Sequence, residues 1–221
     1  MWGGITKKKG ISGKYTRRVY NNILSKEIIH SVRTERAKND LEILGYKASN
    51  TGCLTLWKLT PTFCDNIPRE KADRVIITLT DYNRDYENDK KIIEIVKKNY
   101  KEVFFWPQGI YDDEYLHELK ENEGITVLSS NIEIYEKLLK SGNIDYVGTR
   151  FHGGIYAMRH RVRSIIIVLD ERMQSMQYRV ANNCILRKNI MHELDIKINS
   201  EFKTSVDIDL KEIQRWKDQF V

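Results

Sequence analysis

The chain has few cysteines and no long apolar run, and both absences narrow its class. Three cysteines among 221 residues stand at unrelated spacings, which excludes a disulfide framework and the usual zinc-site patterns. The longest apolar run, Ile165–Leu169, is far shorter than the ~20 residues of a membrane-spanning helix. No apolar segment follows the basic opening residues, as a secretory signal would require. We therefore expect a protein of the reducing cytoplasm without an integral membrane segment.

The net charge of +6 is unevenly distributed along the chain. No acidic residue precedes Glu27, whereas basic residues cluster before it: Lys7, Lys8, Lys9, Lys14, Arg17 and Arg18. Such a stretch is typical of a solvated segment, and it also fits a contact with nucleic acid or an anionic membrane surface. Because no nucleic-acid-binding signature accompanies it, we predict no nucleic-acid partner and leave peripheral membrane association open.

Short, continuous apolar runs alternate with helical patterns from Asp73 onward. The runs are Val75–Thr80, Val103–Trp106, Ile125–Leu128, Tyr146–Thr149 and Ser164–Leu169. Continuous apolarity predicts strands that are buried on both faces, as in parallel sheets. The strict alternation with helices predicts a doubly wound, Rossmann-like α/β sheet with five parallel strands.

The chain before Asp73 predicts a smaller α/β arrangement. Helical patterns cover Lys14–Ser25 and Glu35–Leu44, strand patterns cover Glu27–Val32 and Lys47–Asn50, and Gly45 suits a left-handed helix cap. Two strands cannot bury both faces of a sheet, so we expect a partial lobe.

The domain prediction follows from these patterns. We predict a partial N-terminal α/β lobe at 1–60 and a Rossmann-like lobe at 61–206, separated by a crossover that Pro61 and Pro68 flank. An amphipathic helix in 207–221 should pack back on the lobes through Leu210, Ile213 and Trp216.

The segment Thr149–Gly154 is the strongest candidate for chemistry. It joins a predicted strand to a predicted helix, and ligands of open parallel sheets bind beyond the carboxyl ends of the strands. A helix start binds anions, Arg150 offers a planar fork for carboxylate or phosphate, and His152 can transfer a proton near neutral pH. Gly153 and Gly154 permit close approach by a ligand. The alternative is that Arg150 and His152 are held in salt bridges between the domains.

Other residues at predicted strand ends are further candidates for donor binding: Gln108, Asp170, Arg172, Ser31 and Arg33. Three more interpretations stay open. His30 either reaches the cleft between the two predicted lobes or is structural. The acidic residues Asp112–Glu114 fit partners of a helix dipole better than ligands of a metal ion, and Cys53 fits a small buried residue better than a nucleophile. We therefore predict no metal.

The chain resembles the polysaccharide pyruvyl transferase family in these segments. The similar stretches run from about Ser12 to Arg172 and are His30–Arg33, Asn50–Trp57, Asp145–Gly154 and Ser164–Asp170. The most specific is the Arg-x-His of Arg150 and His152, which in the family begins a helix after a strand ending in Gly-Thr. The chain departs from the family pattern at Thr34 and Cys53, where an acidic residue is usual, and at Arg172, where a lysine is common.

The resemblance implies a two-lobe, glycosyltransferase-B-like fold and a transferase. Such an enzyme moves the enolpyruvyl group of phosphoenolpyruvate onto a saccharide as a ketal, without a further cofactor, in cell-surface polysaccharide synthesis. It also implies that Arg150 holds the donor's carboxylate or phosphate and that His152 is the acid/base or phosphate-binding group. Two alternatives remain: a nucleotide-sugar-dependent glycosyltransferase on the same fold, and a non-catalytic fragment that acts as a binding module.

Overall fold

The computed structural model describes residues 13–170, 173 and 177–221. The chain divides into two compact units, one formed by Met1–Trp57 with Asp207–Val221 and one formed by Lys58–Val206. Among the helices in these described ranges, none is both long and apolar enough to span a bilayer.

The helices and strands of the described residues alternate along most of the chain. In order they are α1 (Lys14–Ile23), β1 (Ile29–Val32), α2 (Glu35–Ile43), β2 (Lys47–Asn50), α3 (Pro61–Cys64), β3 (Arg74–Thr78), α4 (Tyr86–Asn99), β4 (Glu102–Phe105), α5 (Asp112–Glu118), β5 (Ile125–Val127), α6 (Ile132–Lys140), β6 (Ile144–Gly148), α7 (Phe151–Arg159), β7 (Ser164–Val168), β8 (Cys184–Leu186), α8 (Ile190–Asn199) and α9 (Leu210–Asp218). Short 3-10 helices include Asp81–Asn83 and Arg187–Asn189.

The first unit contains a two-stranded parallel sheet, with Ile29 of β1 opposite Lys47 of β2. Helix α2 begins after Thr34, whose hydroxyl accepts the amide hydrogen of Ala37, and it ends before Gly45, which has a φ of +82°. The left-handed cap predicted at Gly45 is therefore confirmed.

Helix α9 packs on this small sheet through fewer residues than its pattern predicts. Ile213 is buried, and the Trp216 indole N–H donates to the carbonyl of Ile29 at 2.8 Å. Leu210 is 46% exposed, so the prediction that it belongs to the packed face is wrong. Leu210 is the first residue of the helix, where the chain is only beginning to follow the packed face.

The second unit contains a six-stranded, all-parallel sheet in the order β5-β4-β3-β6-β7-β8. The chain leaves the central pair, β3 and β6, in opposite directions, so right-handed crossovers place α4 and α7 on opposite faces. This is the dinucleotide-binding strand order, and β3 and β6 flank its topological switch point. The doubly wound parallel sheet predicted from the sequence is confirmed.

All five predicted strands of this sheet are present, and a sixth, β8, was missed. β8 has three residues and pairs with β7, with Cys184 opposite Ile166. Only Ile185 of its residues is buried, so the segment lacks the long apolar run that distinguishes the other strands.

The amino edge of the sheet is fastened by a buried ion pair. Arg163 and Asp145 lie 2.7 Å apart, and the Tyr100 hydroxyl donates to the same carboxylate oxygen at 2.7 Å. Burial raises the pKa of Asp145, and the Arg163 charge and the Tyr100 hydrogen bond oppose that rise only in part. Arg163 also donates to four backbone carbonyls, at Arg69, Lys197, Ile198 and Ser200. These bonds join the loop at Arg69 and the end of α8 to the start of β7.

Candidate functional site

The exits of β3 and β6 are held side by side at the switch point. The Thr149 amide donates to the carbonyl of Thr78 at 3.0 Å, and the hydroxyls of Thr80 and Thr149 share a hydrogen bond of 2.8 Å. A Cβ at Gly148 would lie 2.2 Å from the Thr78 hydroxyl oxygen, so only glycine permits this approach. The two segments that follow these strands therefore begin at one point of the sheet edge.

Arg150 lies at the centre of this point, as the N-cap residue of α7. Its Nη2 forms ion pairs with Asp81, at 3.2 Å, and with Asp112, and its Nε donates to the carbonyl of Leu79 at 3.1 Å. The Arg150 and Asp81 side chains are each 14% exposed, and that of Asp112 is fully buried. We call Arg150, Asp81 and Asp112 the Arg150 cluster.

Asp112 organises the Arg150 cluster from the first turn of α5. Its carboxylate accepts the amide hydrogens of Asp81, Gln108 and Gly109 at 2.7–3.0 Å. Burial alone would raise the pKa of Asp112, but these three hydrogen bonds and the Arg150 charge outweigh burial and lower it. A single ionised carboxylate thus joins the loops after β3 and β4 to the start of α7.

The salt bridges of Arg150 involve Nη2 alone, and both carboxylates lie in the same unit as Arg150, so they are not interdomain salt bridges. The cluster holds one guanidinium and two carboxylates, so the Arg150 charge is compensated. Within the part of the chain that the structure describes, Nη1 has no hydrogen-bond acceptor among the contacts of Arg150. The guanidinium also lies over the Tyr82 ring, at 5.1 Å.

The start of α7 differs from its prediction at one glycine. Gly154 donates its amide hydrogen to the carbonyl of Arg150 at 3.1 Å, so it closes the first helical turn and is not an open donor for an anion. A Cβ at Gly154 would lie 2.6 Å from Ile166, which shows that β7, rather than a ligand, approaches this residue closely. The anion site expected here is limited to the amides of the first turn, ahead of Gly154.

His152 and Gln108 both lie at that first turn. The His152 side chain is exposed and contacts the Phe151 ring edge-on, with 5.6 Å between ring centroids. A Cβ at Gly153 would lie 2.6 Å from Nε2 of Gln108, so the Gln108 amide covers the helix start. The structure therefore brings Arg150, His152, Gly153 and Gln108 together.

The remaining predicted site residues lie elsewhere. Asp170 follows β7 at the same sheet edge, and its carboxylate accepts the Met173 amide hydrogen at 2.9 Å. Arg172 lies outside the described residues.

Ser31 and Arg33 belong to the first unit, at the end of β1. The Ser31 hydroxyl shares a hydrogen bond of 2.6 Å with Thr51. The His30 ring contacts Tyr46 edge-on and bonds the carbonyl of Ser25 at 2.7 Å.

Sequence reasoning missed Asp81, Asp112 and Tyr146 as parts of the site. Asp81 follows a predicted strand directly, a signal that could have included it. Asp112 resembles an ordinary dipole partner, because acidic residues are common in a first helical turn. The Tyr146 hydroxyl donates to the carbonyl of Arg150 at 2.8 Å and also bonds Thr78. The position of Tyr146 within a predicted strand did not indicate this role. The described residues contain no group of three or more acidic, histidine or cysteine side chains arranged to hold a metal ion.

Comparisons with known proteins agree with this architecture. A search of curated proteins finds no match. Among solved structures, the chain is similar to the UDP-bound co-structure of MnaA from S. aureus, with a TM-score of 0.51 and 11% identity over 94% of this chain. The match covers 64% of that structure's length, and at this identity it shows the fold alone.

The sequence model of one protein family spans most of the chain, including both exits of the switch point and the start of α7. It matches residues 4–171 and describes the polysaccharide pyruvyl transferases. The chain belongs to the polysaccharide pyruvyl transferase family.

Proposed function

We propose that this protein takes part in transfer of the enolpyruvyl group of phosphoenolpyruvate onto a saccharide, which forms a ketal and releases phosphate. The observation behind the proposal is the placement of Arg150 and His152 in the first turn of α7, beside the switch point of a sheet with the dinucleotide-binding strand order. The family match covers this segment.

In this proposal, the anionic donor binds at the start of α7. Amides of the first helical turn point toward an anion, and the helix dipole favours negative charge there. Arg150 presents Nη1, while Asp81, Asp112 and the Leu79 carbonyl hold its other nitrogens in place. Gln108 supplies an uncharged amide beside Gly153. The two carboxylates restrict the donor's charge to the side of the helix start.

The chemical step needs proton transfers at two positions. One proton is added to the methylene carbon of the donor and a second leaves with the phosphate, while two hydroxyl oxygens of the saccharide lose these protons and form bonds to the adjacent carbon. The bond from that carbon to the phosphate oxygen breaks, and phosphate leaves. His152 is exposed at the helix start, where its imidazole can donate or accept these protons. It is therefore the proposed acid/base.

The test is phosphate release from phosphoenolpyruvate with a saccharide acceptor, measured for the parent and for His152→Asn. Positioned acid–base catalysis contributes ~10²–10⁴-fold, so turnover should fall at least ~10²-fold while the fold and most of the donor affinity are kept. His192→Asn, at an exposed histidine of α8, is the matched control and should turn over like the parent. Turnover of His152→Asn within a few-fold of the parent would remove His152 from the acid/base role.

A nucleotide-sugar donor is the second candidate, because the similar S. aureus structure contains UDP. Fold does not distinguish the two donors, since sugar nucleotides and phosphoenolpyruvate both present phosphate to a helix start. Calorimetric titration with phosphoenolpyruvate and with UDP distinguishes them. Binding of phosphoenolpyruvate at a lower concentration than UDP is expected, and the reverse order favours the glycosyltransferase alternative.

The place of action is also part of the proposal. Cys64 and Cys184 are free thiols, as suits the reducing cytoplasm. Lys14, Arg17 and Arg18 are exposed on α1, where they can contact an anionic membrane surface. Such contact would bring the protein to acceptors held at a membrane.

A further inference from the structure

A pocket separate from the start of α7 opens at the carboxyl edge of the large sheet. It has a volume of about 560 Å³, within the roughly 300–1,000 Å³ of small-molecule sites. The ends of β7 and β8 supply Val168, Leu169 and Leu186, and polar residues come from the start of α4 and the turn before α8. We call it the Arg187 pocket, with Asn83, Asp85, Asn88, Arg187 and Lys188 as its other principal lining residues.

Arg187 is fixed and its charge is offset. Its Nη2 donates to the carbonyl of Asn83 at 2.7 Å, and its Nη1 and Nε lie 3.7 Å from the carboxylates of Asp85 and Asp89, respectively. The Arg187 side chain is 10% exposed and that of Asp89 is fully buried. An anion that approached Arg187 would also meet the Asp85 carboxylate, which already caps the start of α4, whereas the start of α7 beside Arg150 has no side-chain cap. The pocket therefore does not favour phosphate or carboxylate ligands.

Hydrogen-bonding groups of both kinds line the same wall. At 3.7 Å, the Arg187 and Asp85 atoms are too far apart for a hydrogen bond. A ligand hydroxyl beside them can accept from Arg187 and donate to Asp85, whereas an anionic oxygen can only accept. The Asn88 side-chain amide donates at 2.8 Å to the same Asp85 oxygen, Oδ2, and the Asn88 backbone amide donates to Oδ1, so the carboxylate is held in place. The side-chain carbonyl oxygen of Asn88 is a further acceptor for a ligand hydroxyl.

Apolar side chains complete the lining of the pocket. Val168 is buried, and Leu169 and Leu186 are half-buried at the ends of their strands. A pyranose ring has hydroxyls around its rim and C–H groups on its faces, so it matches a pocket that both polar and apolar side chains line. A linear anion or a flat aromatic ring would use only one of the two kinds of side chain.

We propose that the Arg187 pocket binds an uncharged saccharide through its vicinal hydroxyls. The 3-10 helix Asp81–Asn83 connects it to the Arg150 cluster, because Asp81 pairs with Arg150 and Asn83 bonds Arg187. If the proposed function holds, this saccharide is the acceptor. The 3-10 helix then links the acceptor and donor sites through its three residues. Binding of the saccharide itself does not depend on pyruvyl transfer.

The test is NMR titration of the ¹⁵N-labelled full chain, without donor, with the methyl glycosides of galactose, mannose and N-acetylglucosamine. At least one glycoside should shift the amide signals of Asn88, Arg187 and Lys188 with millimolar affinity. Asn88→Ala removes one hydrogen-bonding side chain worth about 1 kcal/mol, so it should weaken that affinity about fivefold. Asn122→Ala, at an exposed asparagine of the same unit, should bind like the parent.

Two results would overturn the inference. One is the lack of any shift at these amides with all three glycosides, and the other is equal affinity for the parent and Asn88→Ala. Inorganic phosphate, titrated in parallel, should leave the three amides unshifted, and shifts with phosphate alone would also count against a saccharide site. Saccharide binding without phosphoenolpyruvate binding would refute the proposed function and leave this inference standing. Phosphoenolpyruvate binding without saccharide binding would refute this inference and leave the proposed function standing.

Discussion

The Arg150 guanidinium is positioned before any ligand arrives, because three protein groups hold it. Asp81, Asp112 and the Leu79 carbonyl fix the plane of the group, and the Tyr82 ring covers one side. A side chain with fixed orientation loses less rotamer entropy when it binds. Compensation of its charge lowers the affinity for an anion, because a guanidinium that is already paired with carboxylates attracts an anion less strongly. If the proposed donor binds here, the site favours its orientation over raw affinity.

Replacement of Arg150 by lysine tests this balance. Lysine keeps the charge but has no planar fork, so it cannot bond Leu79, both carboxylates and a ligand together. A lost charge-assisted hydrogen bond contributes about 1.5–3 kcal/mol, so affinity for phosphoenolpyruvate should fall at least about tenfold. Calorimetry measures the change, with Arg159→Lys at the other end of α7 as the control. Unchanged affinity in Arg150→Lys would make Arg150 purely structural.

Asp112 should matter for stability as well as for the site. Asp112→Asn removes the charge that pairs with Arg150 at a fully buried position. It also replaces one of the two carboxylate oxygens that together accept three amide hydrogens. Loss of one partner of a buried ion pair costs about 3–5 kcal/mol, and we expect the lower end because asparagine keeps one oxygen. Urea unfolding measures it. Asp113→Asn, at the exposed neighbour, should stay within about 0.5 kcal/mol of the parent.

The same variant has a defined pH signature. The pKa of Asp112 is lower in the folded protein than the ordinary value of 3.8, so the unfolded state takes up a proton first as the pH falls. The stabilisation from the ionised carboxylate is therefore fully present above 3.8 and is lost as the pH falls through the folded pKa. The stability difference between the parent and Asp112→Asn should be constant at neutral and mildly acidic pH and should shrink below that value. A difference that grows on acidification would contradict this assignment.

Some site residues could be predicted from the sequence because they stand within one short segment. Arg150, His152 and Gly153 are neighbours at a strand–helix junction, so local pattern alone placed them together. The partners Asp81 and Asp112 are 69 and 38 positions from Arg150, and a pairing across such separations follows from strand order rather than from local pattern. The sequence thus predicted the position of the guanidinium but not its compensated charge.

At the scale of elements, α7 is pressed against the sheet through its glycines. A Cβ at Gly154 would lie 2.6 and 2.9 Å from two Ile166 atoms and 2.9 Å from the Tyr146 ring. The helix can approach this closely only because the residue has no side chain. The glycine that was interpreted as a ligand contact serves helix–sheet packing.

Gly154→Ala should therefore destabilise the protein although alanine is the better helix former. Overpacking typically costs about 1–3 kcal/mol, which exceeds the gain of up to ~1 kcal/mol in helix propensity. Chemical denaturation should show a net loss of about 1–2 kcal/mol. Ile166→Val removes one of the clashing atoms, so the double variant should recover part of the loss relative to the two single variants. A Gly154→Ala variant more stable than the parent would disprove the packing argument.

In the large sheet, the predicted strands β3, β6 and β7 hold the run of buried, mostly apolar residues that a central parallel strand requires. β6 and β7 are buried along their whole length, and their apolar residues identify them directly in the sequence. β5 lies at one sheet edge with Thr126 and Val127 exposed, so the prediction that it is buried on both faces is wrong. β8 lies at the other sheet edge with a single fully buried residue, so periodicity could not identify it. Helix α8, which follows β8 and packs against α4, was missed with it.

At the scale of the second unit, the two edges of the sheet have different tasks. The carboxyl edge holds the Arg150 cluster and the Arg187 pocket, in which polar groups are partly exposed. The amino edge holds Arg163, Asp145 and Tyr100, all buried and bonded to one another. Burial of a charge is costly unless partners satisfy it fully, and Arg163 satisfies this condition with one carboxylate and four carbonyls. An ion pair of this kind belongs to the framework rather than to the site.

Replacement of Arg163 by lysine should therefore separate stability from ligand binding. An ammonium group cannot reach Asp145 and all four carbonyls at once, so a buried carboxylate and several carbonyls lose partners, and unfolding should become easier by about 3–5 kcal/mol. Affinity of the folded protein for phosphoenolpyruvate should stay within about twofold, since 0.4 kcal/mol is the most that a fastening at the far edge should transmit. Arg161→Lys, at an exposed arginine of the same loop, should change neither property. Urea unfolding and calorimetry on the same preparations distinguish the outcomes: a large loss of donor affinity in Arg163→Lys with unchanged stability would reverse the assignment of the two edges.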